Sequence, residues 1–286
     1  MLTAPGRARR PAGRPPAKSF VPIRLMITVK AYPNISRRHG EVVCVAGIRI
    51  DMPKPAWVRL WPVQFRDLPF AARFEKYQEI TVDAALSDKD NRPESLWPRT
   101  DTLIPGRHYS SKQRWAARRR WVEPLIVNSM CEVLERQEED RTSLAVIRPG
   151  TVHDLLIEKV ASGWKPEQQS VIDQPSLFFP GRSTLKSIPY RFKYQYTCQR
   201  KGCKGHEQSI IDWELGEAFR SWSSDDIATR LRLIRHKWLE EMCGRDKDTL
   251  FFVGNIHLYP RTFLVLGTFW PPKEGVTDQL SLSLDS

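Results

Sequence analysis

Short segments rich in β-branched and aromatic residues, each followed by proline, glycine or charged residues, fill the chain between residues 21 and 84. Strands are expected at residues 23–30, 42–50, 57–61 and 77–82, since such side chains favour a pleated backbone bounded by turns. Later in the chain Tyr190, Phe192, Tyr194 and Tyr196 alternate with polar residues, which predicts a half-buried strand. A chain with this pattern has to build a β-rich core.

Helical patterns occur in three places. Residues 112–122 form the first predicted helix, and Pro124 fits the first turn of a second. A third is expected over residues 223–242, with Ser223 and Ser224 as its N-cap. Strands and helices together predict an α+β fold: mostly antiparallel sheets or a partly open barrel, with about three packed helices and a small Cys/His metal loop.

Composition divides the chain into five parts. These are a disordered basic tail (1–19), a β-rich domain with two helices (20–160), a linker or long loop (161–186), an α+β region with the metal loop (187–272) and a second tail (273–286). One domain is the alternative, because a late hairpin at residues 250–270 could complete the first sheet. Translation could start at Met1 or at Met26.

The chain is strongly basic. It has 45 Lys and Arg against 33 Asp and Glu, a net charge of +12, and the first tail contributes five of the basic residues and no acidic one. A charge of +7 therefore lies outside the tail. Such a balance favours a polyanionic partner, most readily DNA. The apolar runs are too short to span a bilayer, so no membrane partner is expected.

Cys198, Cys203 and His206 stand within nine residues, together with Gly202 and Gly205, which allow a tight backbone turn. Thiolates and an imidazole at this spacing predict a zinc site, and a structural clip is favoured over a catalytic ion. Two free cysteines beside a surface histidine are the alternative. The fourth ligand is expected to be Cys243, His236, His257 or a water. The odd number of cysteines, five, and the lack of a secretory signal predict a reducing, cytoplasmic setting.

Four side chains are candidates for catalysis. Asp212 and Glu214 would share one face if residues 209–215 form a strand, with a separation of about 7 Å. Such a pair could divide acid and base roles in a hydrolysis, or hold Mg²⁺ in a nuclease. Asn255 and His257 would lie on one side of a strand that Gly254 marks as bulged. The alternative is that Asp212 and Glu214 form ion pairs with arginines and take no part in catalysis.

Arginine and tryptophan are interleaved in several segments, which is typical of nucleic-acid binding because Arg neutralises phosphate and Trp stacks on bases. The alternative is that the arginines form a solvated helix face and the tryptophans belong to the core. The polar loop at residues 32–41 could also contact phosphate or a base edge. The predicted contacts to nucleic acid are Arg37, Arg38, Arg114, Trp115, Arg118, Arg119, Arg120, Arg232 and Arg235.

The sequence has no G-x-x-x-x-G-K-[ST], no G-x-G-x-x-G after a strand and no G-x-S-x-G motif, which disfavours motors, nicotinamide dehydrogenases and common serine hydrolases. The predicted function is nucleic-acid binding, and within it a hydrolase that removes a flipped base as a DNA glycosylase does. The alternatives are a non-catalytic, zinc-stapled DNA- or RNA-binding module, a metal-dependent nuclease and a protein-interaction scaffold.

Overall fold

The computed structural model describes residues 19–36, 38–161, 163–172, 185–222 and 226–274. In these ranges the chain is an α+β protein with mostly antiparallel sheets, as the sequence predicts. Most of the two predicted tails, half of the predicted linker, Ser223, Ser224 and Arg37 lie outside the described residues. No helix in the described ranges is both long enough and apolar enough to cross a membrane.

The first half of the chain forms a partly closed, five-stranded barrel. Its strands and one short edge strand are β1 (Val21–Lys30), β2 (Asn34–Ser36), β3 (Gly40–Arg49), β4 (Trp57–Val63), β5 (Gln78–Leu86) and β6 (Ser95–His108). Strand β1 pairs with both β5 and β3, and β4 pairs with β6, so the ladder returns on itself. Ile23, Leu25 and Ile27 alternate into the barrel core and are at most 1% exposed. Their branched side chains explain why this segment is a strand.

The second half adds two smaller sheets. Their strands are β7 (Ile126–Val127), β8 (Leu144–Ile147), β9 (Thr151–Lys159), β10 (Tyr190–Thr197), β11 (His206–Ser209), β12 (Leu250–Ile256) and β13 (Tyr259–Phe269). The sheet orders are β13-β12-β8-β7 and β11-β10-β9. On β10, Tyr194 and Tyr196 are fully buried, and the Tyr194 ring stacks on Phe251 with 4.5 Å between centroids. The aromatic alternation therefore faces the core, as predicted.

Five α helices of the described ranges pack around these sheets: α1 (Lys112–Val122), α2 (Met130–Asp140), α3 (Pro166–Ile172), α4 (Trp213–Ser221) and α5 (Ile227–Arg235). Helix α5 continues into a π-helical turn at His236–Glu241. Helix α2 begins later than Pro124 predicts, because Ser129 accepts a hydrogen bond from the Glu132 N–H and caps it. Helix α5 is capped by Asp226, whereas the sequence predicted an N-cap at Ser223 and Ser224.

The prediction of a strand over residues 209–215 is wrong for its second half. Strand β11 ends at Ser209, and Asp212 caps α4 by accepting from the Glu214 N–H. Helix α4 is anchored to the barrel at this point, because Ala31 forms a bridge with Asp212 and the Tyr32 N–H donates to the Ile211 carbonyl at 2.6 Å. Residues from both halves of the chain thus meet around the start of α4.

Candidate functional site

Four side chains gather into a group that could hold a metal ion such as zinc. The Sγ atoms of Cys131, Cys198 and Cys203 lie 3.5, 3.3 and 3.4 Å from His206 Nε2, and all four donor atoms lie within 4.8 Å of one another. Zinc bonds of about 2.3 Å to sulfur and about 2.0 Å to nitrogen, set at tetrahedral angles, would give sulfur–nitrogen distances of roughly 3.6 Å. The spacing of the group therefore fits zinc.

The backbone around the loop favours a thiolate at Cys203, whereas burial raises the pKa of the Cys131 and Cys198 thiols. Gly202 and Gly205 adopt φ angles of 82° and 92°, which allows the chain to turn between the ligands. The N–H groups of Cys198 and Gly205 donate to Cys203 Sγ at 3.3 and 3.4 Å. Burial opposes ionisation of Cys203, but these donors outweigh it and hold the pKa of its thiol below the usual value.

The fourth member of the group is Cys131, which differs from every ligand expected from the sequence. Cys131 lies in the first turn of α2, 67 residues before Cys198. Cys243 donates to the Trp238 carbonyl, His236 pairs with Glu240, and His257 contacts Asp90. Sequence spacing shows only ligands that are close along the chain, and the packing of α2 against the β10–β11 hairpin supplies the remaining one.

A cleft of about 790 Å³ opens between the barrel, α1, α4 and the π-helical turn. Half of the protein's ten tryptophans line it, and so do five lysine and arginine side chains against three glutamates. The tryptophans are Trp115, Trp213, Trp222, Trp238 and Trp270, and the cations are Lys30, Lys76, Arg118, Lys237 and Lys247. Of the residues predicted to bind nucleic acid, Trp115 and Arg118 line this cleft.

Two aromatic residues of the cleft have strained backbones. Tyr77 and Trp115 both have a φ of 62°, and Gln113 and Arg114 before Trp115 are left-handed as well. Each such residue costs of order 1–3 kcal/mol, and strain of this kind concentrates at functional sites. The Arg118 guanidinium lies 4.0 Å from the centroid of Tyr77 and 4.6 Å from that of Trp115, and it holds the two rings in place.

An ion group forms part of the cleft wall. Lys76, in the turn before β5, places its Nζ 3.0 Å from Asp212 Oδ2 and 3.2 Å from Glu214 Oε2. The side chains of Lys76 and Asp212 are 6% and 3% exposed, whereas Glu214 is half-exposed and lines the cleft. The ammonium occupies the space between the carboxylates where a divalent ion would have to bind. Asp212 and Glu214 are therefore neutralised by a basic side chain, which was the alternative to a catalytic pair. The basic side chain is a lysine, whereas the sequence suggested arginines.

The environment shifts the pKa values of the Asp212 and Glu214 carboxyl groups in opposite directions. Burial raises the pKa of Asp212 to about 6 against the opposing charge of Lys76. The Lys76 charge dominates at Glu214 and lowers the pKa of that carboxyl. Burial disfavours the charge on Lys76 itself, but Asp212 and Glu214 outweigh it and raise the pKa of the ammonium. Glu214 is thus the anionic side chain that this group presents to the cleft.

The other two catalytic candidates belong to a different cluster. Asn255 is buried, and its amide nitrogen donates to the Pro260 carbonyl while its side-chain oxygen accepts from Arg92 at 3.2 Å. Arg92 also pairs with Asp90, and the ring of His257 lies 3.3 Å from the same carboxylate. These contacts lock the residues around Asp90, and neither Asn255 nor His257 lines the aromatic cleft.

The remaining predicted nucleic-acid contacts differ in environment. Arg38, Arg114, Arg120 and Arg232 are exposed. Arg119 pairs with Glu123 and Asp248, and Arg235 pairs with Asp154 at 2.6 Å. Sequence patterns missed Lys76, Tyr77, Trp213, Trp222, Trp238 and Trp270. Lys76 and Tyr77 belong to no motif, and the four tryptophans are scattered along the chain. The number of tryptophans was the one signal, and it concerned only these four residues.

These features define an α+β protein with a partly closed barrel, a Cys₃His group and an aromatic, cationic cleft. A family model described as "Domain of unknown function (DUF8757)" matches residues 126–285, and the chain belongs to this family. A second model, "Domain of unknown function (DUF8758)", matches residues 22–124. No curated protein matches the chain.

Three solved structures with some similarity to the chain are complexes with DNA. A murine DNA-binding protein with double-stranded DNA is 8% identical, with a TM-score of 0.27, and 90% of this chain and 99% of that chain are covered. The Ifi202 HINa domain with a 20-base-pair duplex is 8% identical, with a TM-score of 0.31 and the same coverage. A replication protein A heterotrimer with single-stranded DNA is 9% identical, with a TM-score of 0.24, over 90% of this chain and 67% of that one. TM-scores this low carry no functional conclusion for this chain.

The ion group leads to a prediction about stability and pH. Replacing Lys76 by methionine leaves Asp212 buried without its cation, so we expect a loss of about 3–5 kcal/mol in the free energy of unfolding at pH 8. The loss should be about 1–2 kcal/mol smaller at pH 5, because Asp212, whose pKa is already raised to about 6, is then protonated and needs no partner. Urea denaturation at both pH values measures it.

The matched control is the double variant Lys76→Met with Asp212→Asn, which removes the buried charge together with its partner. It should recover part of the stability lost at pH 8 and show little dependence on pH in this range. A loss for Lys76→Met that is equal at pH 5 and pH 8 would contradict the role assigned to Asp212.

Proposed function

We propose that this protein binds nucleic acid, most readily DNA, and that the aromatic cleft is the contact site. The observation that carries the proposal is the composition of the cleft wall, which contains five tryptophans together with five lysine and arginine side chains. Tryptophan faces accept unstacked bases, and the cations neutralise phosphate. The net charge of +12 is consistent with the same partner.

The charge of the cleft separates this proposal from other ligands of aromatic pockets. A quaternary ammonium also binds against tryptophan faces, but a face that a protein cation already covers is not available to it. Here Arg118 lies over Tyr77 and Trp115, and Lys237 lies 4.7 Å from the centroid of Trp270. Cations already cover part of these aromatic faces, which favours an anionic ligand with a flat ring.

The proposal predicts a salt-dependent affinity for DNA. Lys237→Ala combined with Lys247→Ala should weaken binding of a fluorescent oligonucleotide by roughly tenfold at low salt. It should also reduce the slope of log K against log salt by about two, since each phosphate contact contributes about one. Anisotropy titrations at several salt concentrations measure both quantities.

The control replaces Lys54 and Lys159, which are exposed and lie outside the cleft wall, by alanine. It removes the same amount of charge and should change the affinity far less. Equal losses in the two double variants would assign binding to net charge instead of to the cleft. No binding of single- or double-stranded DNA at low salt would overturn the proposed function and leave the scaffold alternative.

The Cys₃His group is proposed as a structural zinc centre. Four protein ligands close a tetrahedral ion, which is the arrangement of structural sites, whereas catalytic sites keep one position open. The centre would tie α2 to the β10–β11 hairpin. None of the five cysteines forms a disulfide, and the reducing, cytoplasmic setting expected from the sequence stays a proposal.

Metal analysis of the purified protein is expected to give one zinc ion per chain. Cys131→Ala should lower the zinc content well below that value and lower the melting temperature, because metal-binding free energy in such sites is folding free energy. Cys44→Ala, at a free cysteine outside the group, is the control and should keep its zinc. An unchanged zinc content in Cys131→Ala would rule out the four-ligand site.

Base excision is the second candidate function, and the position of Glu214 favours it. This carboxylate is half-exposed in the cleft, and Lys76 keeps it ionised by lowering its pKa. An anion beside an aromatic pocket could stabilise the positive charge that develops on the sugar when an N-glycosidic bond breaks. A nuclease with Mg²⁺ between Asp212 and Glu214 is less favoured, because the Lys76 ammonium lies there.

Incubation with duplexes that carry damaged or mismatched bases tests this candidate. We expect abasic sites to form in the presence of EDTA and Glu214→Gln to lose the activity by at least about 100-fold. Glu217→Gln, at another glutamate of the cleft wall, is the matched control. The absence of base release on every substrate would leave a non-catalytic binding module, and nicks that EDTA prevents would favour the nuclease.

A further inference from the structure

The four lysines of the cleft wall differ in their partners. Three of them form ion pairs with carboxylates of the protein, namely Lys76, Lys237 and Lys247. Lys30 forms no ion pair within the part of the chain that the structure describes, and its Nζ donates to the Phe74 carbonyl at 3.2 Å. An ammonium group has three N–H donors and no other role in binding the fold is visible for it here. Lys30 is thus the cleft lysine whose charge the protein does not neutralise.

The surroundings of Lys30 Nζ are aromatic. The atom lies 4.6 Å from the ring centroid of Phe65 and 5.7 Å from that of Trp213, which itself lines the cleft. Burial in this setting lowers the pKa of the Lys30 ammonium, and the positive charge of Lys76 acts in the same direction against the opposing charge of Glu214. Desolvation and a neighbouring cation are the two conditions that turn a lysine into a nucleophile, because they favour the free amine.

The backbone holds Lys30 in a fixed place at the cleft wall. Lys30 is the last residue of β1 and pairs with Val45 of β3, and the next residue, Ala31, forms the bridge with Asp212 at the start of α4. The side chain of Lys30 is half-buried and lines the cleft. A half-buried side chain that lines the cleft and ends over a cleft tryptophan has its amine within reach of a ligand bound there.

We infer that Lys30 is a nucleophile that forms an imine with the C1′ aldehyde of an abasic nucleotide, and that the cleft then cleaves the DNA strand on the 3′ side of that nucleotide. This inference rests on the proposed function, since it needs DNA in the cleft, and it names the substrate as DNA that has lost a base. Any reaction that releases a base from DNA supplies this substrate.

The cleft suits a sugar and its phosphates. Its volume of about 790 Å³ lies within the range of about 300–1,000 Å³ that is typical of small-ligand sites. The other cations of the wall can neutralise the phosphates on either side of the sugar. Glu214 is half-exposed at the same wall, and Lys76 keeps it ionised by lowering its pKa. An amine and a carboxylate therefore border one space.

The reaction balances without a metal, an oxidant or a reductant. The amine of Lys30 adds to the aldehyde carbon of the open-chain sugar, and loss of one water gives an iminium ion. The iminium makes the C2′ proton acidic, and the carboxylate of Glu214 accepts it. A C2′=C3′ double bond forms, the C3′–O bond breaks, and the 3′ phosphate leaves with the electron pair of that bond. One water then hydrolyses the imine and regenerates the amine.

Borohydride reduction tests the inference in the full-length protein. Sodium borohydride converts an imine into a stable secondary amine, so a duplex with one preformed abasic site should become covalently attached to the protein. Digestion and mass spectrometry should place the adduct on Lys30. A duplex with tetrahydrofuran at the same position keeps the phosphates and the sugar ring but has no aldehyde, and it should bind with similar affinity and give no adduct.

Three variants separate the roles of the side chains. Lys30→Arg keeps the positive charge but replaces the amine by a guanidinium that stays protonated. It should lose both the adduct and the strand cleavage and keep the affinity for the tetrahydrofuran duplex. Glu214→Gln should still form the adduct and should cleave the strand about 100-fold more slowly. Lys54→Arg, at an exposed lysine outside the cleft wall, is the matched control and should behave like the wild type.

The outcomes separate this inference from the proposed function. An adduct on another lysine, or no adduct while the tetrahydrofuran duplex binds, would overturn the inference and leave DNA binding in place. Cleavage that persists in Lys30→Arg, or that EDTA prevents, would also overturn it. If neither duplex binds at low salt, the proposed function itself fails. Should Lys30→Arg not fold, the position of the adduct in the wild-type protein decides the question.

Discussion

The contact of Lys76 with Asp212 and Glu214 is the interaction on which the rest of the arrangement depends. Asp212 caps α4, bridges the end of β1 through Ala31 and binds an ammonium from the turn before β5. This buried charge group therefore helps to join the barrel to the second half of the chain. Gly267 on β13 belongs to this arrangement, since a Cβ there would lie 3.1 Å from Lys76 Nζ and crowd the ammonium.

That junction also creates the cleft. Lys76 fixes the turn that holds Tyr77, and Asp212 fixes the first turn of α4, which carries Trp213 and Glu214 into the cleft wall. The Cys₃His group lies elsewhere, where α2 meets the β10–β11 hairpin. The two constellations thus have separate tasks: one shapes a cationic, aromatic surface, and the other fastens a helix to a sheet.

Much of the fold is readable from the sequence because it depends on local periodicity. The alternation at Tyr190–Thr197 predicts a strand with a buried face, and the structure places Tyr194 and Tyr196 in the core. The strand expected through Glu214 failed for a local reason, since Asp212 offers its carboxylate to the helix N-terminus and ends the extended segment. The spacing of apolar residues, from which the strand was predicted, contains no information about a polar capping side chain.

The sequence by itself determined the β-rich class, the basic character and three of the four residues of the Cys₃His group, because each of these depends on composition or on neighbours along the chain. Tertiary structure alone decided that Cys131 joins Cys198, that Lys76 meets Asp212 across 136 residues, and that tryptophans from four distant segments share one wall. The physical reason is distance along the chain. Contacts between remote segments form only when sheets and helices pack, and no spacing rule encodes which remote residues then become neighbours.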